Sequence, residues 1–146
     1  MAHSGRFKPK NTHKYDGDHT KIYYRSSWEL SVCFWCDKNP QIKKWSSESI
    51  IIPYLCPIDG KRHSYYVDFY IEIEGGKTYL VEVKPKKKTK QPKNPGRVTR
   101  RYLNEVKEYA KNGAKWKYAR EYALDRGWIF VVWTEDTLKS MGIMHK

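Results

Sequence analysis

Val67-Asp68-Phe69-Tyr70-Ile71-Glu72-Ile73, then Glu74-Gly75-Gly76-Lys77, then Thr78-Tyr79-Leu80-Val81-Glu82-Val83-Lys84: this stretch decides the fold. Val67, Phe69, Ile71 and Ile73 share one side, and Tyr66, Asp68, Tyr70 and Glu72 the other. That period of two marks a strand. Gly75-Gly76 supplies a tight turn. On the returning strand Tyr79, Val81 and Val83 face one way, and Leu80, Glu82 and Lys84 the other. Pairing across the turn sets Asp68 opposite Val83, between Glu82 and Lys84. A one-residue change of register or a bulge would alter that placement.

Upstream, residues 45–55 read as a strand centred on Ile50, Ile51 and Ile52. Asp59-Gly60 is a turn signal leading to the strand 63–73, so three strands form an antiparallel meander. A helix is predicted from Ser26–Ser27 to about Asn39. Ser26 and Glu29 have capping-box spacing, Trp28, Val32, Trp35 and Cys36 follow the helical period, and Asn39-Pro40 ends it. Downstream, Pro85 closes the third strand. Helices are expected at 98–111 and 114–126, separated by Asn112-Gly113 and closed by Arg126-Gly127. Trp128 to Trp133 reads as a strand buried on both faces, and Thr134 as the cap of a short helix at 135–140. The expected class is α/β: a mixed central sheet, made of a three-stranded meander plus one further strand, flanked by helices. Residues 1–22 read as an irregular basic arm, ordered on a partner, and 23–146 as a single domain.

The charge balance points to a polyanion. There are 29 Lys and Arg against 16 Asp and Glu, a formal net charge of +13. Segment 84–101 holds Lys84, Lys86, Lys87, Lys88, Lys90, Lys93, Arg97, Arg100 and Arg101 with no acid, broken by Pro85, Pro92, Pro95 and Gly96. A flexible basic loop of this kind grips phosphates by releasing their counterions. Lys115 is a further candidate phosphate contact, whereas Trp116 reads as a core residue. No apolar run is long enough to span a membrane, and the N-terminus lacks the apolar centre of a secretory signal. The expected location is therefore the cytosol, or a particle packaged from one. Cys33 and Cys36 have the gap of a zinc knuckle, and Cys56 with His63 would complete four ligands. The second pair is too loosely spaced for a structural zinc site, so the helical cysteines read as small apolar residues. The other histidines, His3, His13 and His19 among them, form no ligand pair.

Asp68, Glu82 and Lys84 are the candidates to carry chemistry. Phosphodiester hydrolysis needs a nucleophilic water and neutralisation of charge in the transition state. Two carboxylates can hold Mg²⁺, which prefers oxygen ligands, and a neighbouring lysine can serve the attacking water. The bland alternative is a solvated strand face with a Glu82–Lys84 ion pair worth about 0–1 kcal/mol.

Val67-Asp68 followed by Glu82-Val83-Lys84 resembles the active-site motif of the PD-(D/E)xK nuclease superfamily, although the first position is Val67 and not Pro. Tyr24-Arg25-Ser26-Ser27-Trp28-Glu29 opening a helix resembles the TnsA-type and phage members. So do Met1-Ala2-His3-Ser4-Gly5, Lys14-Tyr15-Asp16-Gly17-Asp18, Trp45-Ser46-Ser47-Glu48 and the stretch from Ala114-Lys115-Trp116 to Thr134-Glu135. The resemblance implies a restriction-endonuclease-like fold and a metal-dependent endodeoxyribonuclease. It implies Asp68, Glu82, the Val83 carbonyl and Glu29 at the metal, which would be Mg²⁺ or Mn²⁺, with Lys84 beside them. Glu29 has a second explanation as the returning arm of the capping box, and both stand at this point. The phage members complete the filled head, which implies DNA and head, portal or neck proteins as partners, a place in the virion or host cytoplasm, and no secretion. Two competing readings are a non-catalytic basic DNA-binding protein and a structural protein of the virion neck.

Overall fold

The computed structural model describes residues 3–145; Met1, Ala2 and Lys146, which the arm and domain boundaries above include, lie outside the described residues. Among the described residues, eight strands and three helices follow in chain order. They are β1 (Gly5–Phe7), β2 (Ile22–Tyr24), α1 (Ser27–Lys38), β3 (Ile42–Ser47), β4 (Ile51–Leu55), β5 (Arg62–Tyr66), β6 (Phe69–Ile73), β7 (Thr78–Val83), α2 (Arg100–Asp125), β8 (Ile129–Trp133) and α3 (Glu135–Ser140). The central sheet is mixed and four-stranded, in the order β3-β6-β7-β8. β3, β6 and β7 are antiparallel neighbours, and β8 joins β7 in parallel after the α2 crossover. A mixed four-stranded sheet flanked by helices is therefore present, as the sequence predicts.

The meander is interrupted. Residues 45–55 form not one strand but the end of β3 and the whole of β4. Residues 63–73 likewise divide into β5 and β6 at Val67-Asp68. β4 and β5 pair only with each other, so a separate hairpin stands between two strands of the main sheet. The joints are held together: the Val67 N–H donates to the Ile50 carbonyl, and the Glu48 N–H to the Asp68 carbonyl. Glu48 adopts φ +54°, a left-handed conformation that a non-glycine residue takes at some cost.

The register differs by one residue from the sequence expectation. Phe69 pairs with Val81 and Tyr70 with Leu80. Continued by one step, this register would set Asp68 beside Glu82 and not Val83; Asp68 itself lies in a bend just before β6, outside the paired ladder.

Two cores flank the sheet. On one side Phe69, Ile71, Val81 and Val83 meet Val32, Cys33 and Cys36 of α1, with Trp45 at the centre. On the other Leu80, Tyr65, Val67 and Cys56 meet Ala119 and Ala123 of α2. The four-ligand zinc set considered above is thereby dispersed, because Cys33 and Cys36 lie in the first core and Cys56 in the second. α1 starts as predicted, with Ser26 Oγ accepting from the Glu29 N–H at 3.2 Å. α2 is one helix where two are expected. Asn112-Gly113 does not break it, since Thr99 caps its start, Asn112 is buried, and packing outweighs the roughly 1 kcal/mol that an interior glycine costs. β8 is an edge strand, half-buried, and not a strand covered on both faces.

The segment read as an irregular arm is built into the body over its described part. β1 pairs with β2, and Phe7 and Ile22 join the first core. Lys14 is buried, and its Nζ donates to the carbonyls of Cys36, Asp37 and Asn39 at 2.7, 3.1 and 2.7 Å. A cation over the last carbonyls of α1 satisfies acceptors that the helix leaves unpaired. The Asp37 carboxylate in turn accepts from the backbone N–H groups of Lys10 and Asn11.

Candidate active site

Asp68 sits at the kink between β5 and β6, where the chain passes from the small hairpin into the main sheet. Its Oδ2 accepts from the Val83 N–H at 2.8 Å, tying the carboxylate to the end of β7. Glu82, one residue earlier, is buried at 6% exposure. Two donors hold its oxygens: the Tyr65 hydroxyl donates to Oε1 at 2.5 Å, and Lys84 Nζ lies 3.2 Å from Oε2. The Lys84 side chain is itself only 21% exposed.

The electrostatics follow from this crowding. Burial, then the negative charges of Glu82 and Glu29, hold the Asp68 carboxyl well above the ordinary range. The Val83 N–H and Lys84 act in the opposite direction but do not cancel it. Burial likewise raises Glu29, with the charges of Glu48 and Glu82 adding to the effect. Burial and the adjacent Glu82 push the Tyr65 phenol far up, so it keeps its proton and remains a donor. Acids that resist ionisation in a cleft, beside a lysine, suit a cation that would relieve their repulsion.

Glu29 opens α1 on the opposite core, within electrostatic reach of Asp68 and Glu82. Its Oε1 accepts from the Arg25 N–H at 3.2 Å, one residue earlier than the capping box predicts. Arg25 also makes a two-pronged contact with Glu48, at 2.8 and 3.1 Å. The cap therefore uses one Glu29 oxygen, and Arg25 ties the helix start to the joint that holds Asp68.

Lys115 of α2 comes into the same cleft. Its ammonium lies over the rings of Tyr65 and Tyr54, at 5.7 and 6.0 Å from their centroids. Burial lowers its pKa, while the nearby Glu82 carboxylate partly restores it. The cleft thus contains two lysines and a tyrosine beside its acids. Nothing in the local sequence pattern signals Tyr65, because it lies on a different strand, and a different sheet, from the Glu82 it serves.

The basic segment leaves the cleft directly after Lys84. Lys86–Thr89 form a short 3₁₀ turn, and Lys87, Lys90, Lys93, Arg97 and Arg100 are exposed. Lys86 pairs with Asp136, Lys88 with Glu108 and Arg101 with Glu105, all on the surface. Such exposed pairs are weak and exchange readily for phosphate. Between this segment and the first half of α2 lies a groove of about 880 Å³, lined by Lys87, Lys88, Lys93, Arg101, Tyr102 and Tyr109 among others.

Two comparisons bear on this arrangement. Residues 39–135, which hold Asp68, Glu82, Lys84 and Lys115, match the family described as TnsA-like endonuclease N terminal. The chain is also 42% identical, over 146 residues and 97% of each chain, to the head completion nuclease of Enterobacteria phage T4. A mixed sheet between helices, with acids at the ends of two adjacent strands, is the restriction-endonuclease-like architecture, and the chain belongs to the TnsA-like endonuclease family.

Proposed function

We propose that this protein is a Mg²⁺-dependent endodeoxyribonuclease that processes packaged DNA as a phage head is completed. The observation that carries the reading is the convergence of Asp68, Glu82 and Lys84 at one end of β6 and β7. The donor set suits a hard divalent ion: the Asp68 and Glu82 carboxylates would hold it, with the Val83 carbonyl as a further oxygen, and Glu29 lies within electrostatic influence of both acids. When bound, such an ion polarises a phosphoryl oxygen and lowers the pKa of a coordinated water.

The chain's own groups do the rest. Tyr65 and Lys84 hold the Glu82 carboxylate from two sides, so its oxygens keep a fixed direction. Lys84 Nζ orients the attacking water and stabilises charge that develops on the phosphate. Lys115 adds a second positive charge on the α2 side, where the phosphate backbone enters. The segment Lys86 to Arg101 grips the duplex without reading sequence, through Lys86, Lys87, Lys88, Lys90, Lys93, Arg97, Arg100 and Arg101. The head-completion role rests on the 42% identity to the T4 protein and on its name. That role implies docking to head, portal or neck proteins in the virion or host cytoplasm. Among the described residues no helix is long and apolar enough to cross a membrane.

Incubation of supercoiled plasmid with Mg²⁺, with and without EDTA, tests the reading. Wild type should cut only with free metal, and Lys84→Ala should bind DNA without cutting. A protein that binds but never cuts, at any Mg²⁺ concentration, is a DNA-binding or neck component instead.

A further inference from the structure

We infer that the tip of the β4–β5 hairpin is a second metal site, built from Cys56, Asp59 and His63 and suited to Zn²⁺. One ligand atom from each of these residues lies within 4.8 Å of the others. Corners of a tetrahedron around Zn²⁺ lie roughly 3.5 Å apart, so the hydrogen-bonded Asp59 Oδ2 and His63 Nε2, 2.7 Å apart, would part slightly to admit the ion. Among the described residues it is the one place where three such side chains converge so closely.

The loop that carries them is pre-shaped. Tyr54 pairs with His63 and Leu55 with Arg62 at the end of the hairpin. The turn is then closed by the Cys56 N–H donating to the Lys61 carbonyl at 2.8 Å and the Gly60 N–H to the Cys56 carbonyl at 2.9 Å. Gly60 takes φ +69°, which a side chain would resist. The Lys61 N–H fixes Asp59 through Oδ1 at 2.9 Å, leaving Oδ2 against His63 Nε2 at 2.7 Å. The His63 ring also packs against Tyr54, with centroids 5.9 Å apart, which restrains its rotation. Cys56 is buried beneath, whereas the Asp59 and His63 side chains are each 40% exposed. The site therefore has one inner ligand, two outer ones and a side open to water for a fourth.

The ligand chemistry distinguishes it from the cleft. Thiolate, imidazole and carboxylate form a borderline-soft set that selects Zn²⁺ over Mg²⁺. On binding, the Cys56 thiol gives its proton to solvent and His63 coordinates as neutral imidazole. Thiolate and carboxylate together balance the charge of the ion, so the site is neutral when filled, within a chain of strong net positive charge. The ion would staple the hairpin whose second strand carries Tyr65 toward Glu82. None of these residues takes part in the proposed cutting reaction, so this site stands or falls independently of it.

Co²⁺ is the probe, because a cobalt–thiolate bond gives a near-ultraviolet charge-transfer band that oxygen ligands do not. The full-length chain should develop that band at one equivalent and lose it to added Zn²⁺. His63→Ala, an exposed change, and Cys56→Ala should each abolish the band. Asp68→Asn should retain it. Zn²⁺ should raise the unfolding temperature of wild type and not of His63→Ala. Absence of the band in folded wild type would overturn the site, as would a band that survives His63→Ala or Cys56→Ala unchanged.

Discussion

Replacing Tyr65 by Phe removes one oxygen and tests how tightly the cleft depends on a buried donor. Tyr65 and Glu82 are both nearly inaccessible, at 4% and 6% exposure, and the bond between them is 2.5 Å. Phe fits the same space, so the change removes a hydrogen bond and leaves packing nearly intact. A bond to an ionised group contributes roughly 1.5–3 kcal/mol, and no water replaces it in a site this closed. Lys84 remains 3.2 Å from the other oxygen and keeps Glu82 paired, which places the expected loss near the lower end, about 1.5 kcal/mol. In a chain of this size that corresponds to a fall in Tm of roughly 3–6 °C by scanning fluorimetry. Loss of a group that orients a metal ligand typically costs roughly 10- to 100-fold, so Mg²⁺-dependent cleavage should drop by that range and recover partly at higher Mg²⁺. An unchanged cleavage rate, alongside the expected drop in Tm, would refute a positioning role and leave Tyr65 a purely structural residue.

Four further outcomes follow from the same geometry. Asp68→Asn should abolish cleavage yet stabilise the fold by on the order of 1 kcal/mol at neutral pH without metal, because ionised Asp68 is disfavoured in the cleft. The sign is set by a folded-state pKa above the unfolded one: stability is lost as pH rises from about 4 toward the folded value, so the difference in Tm between variant and wild type should vanish below about pH 4. Lys14→Met leaves three carbonyls at the end of α1 without their donor and should lower Tm by roughly 5–10 °C, read by calorimetry, while leaving the cleavage rate of the folded protein unchanged. Neutralising Lys87, Lys90, Lys93 and Arg97 together should weaken DNA binding evenly across sequences and flatten the slope of log affinity against log salt by about 0.9 per lost phosphate contact, measured by fluorescence anisotropy. Lys115→Met should reduce cleavage more than it reduces DNA binding in the same assay, whereas equal losses would make it a phosphate contact alone.

Much of this arrangement is legible in the chain because alternation is a local signal. Asp68, Glu82 and Lys84 stand out against the apolar residues around them, and Gly75-Gly76 ties their strands together. The helix from Ser27 to Lys38 is equally plain, since its cap and its Asn39-Pro40 stop are both short-range. What the pattern hides is change of partner. Alternation runs unbroken through Val67-Asp68, yet β5 and β6 belong to different sheets, and the kink that places Asp68 arises from bonds to Glu48 and Ile50, far back in the chain. The one-residue register error has the same origin, because the turn constrains the pairing only to within a residue. Tyr65 and Lys115 enter the cleft from other elements, and no spacing rule links them to Glu82. Lys14 is hidden for the opposite reason: a lysine among polar neighbours looks solvated, and only the tertiary fold sets it over the end of α1.

Calorimetric titration of Mg²⁺ into the wild-type chain, Asp68→Asn and Glu82→Gln tests the shared-ion claim most directly, since Mg²⁺ selects oxygen ligands and should ignore the cysteine-containing hairpin. Wild type should bind Mg²⁺, and each single substitution should remove the heat of binding while the protein stays folded. Undiminished Mg²⁺ binding in both variants would contradict a metal held jointly by these two carboxylates.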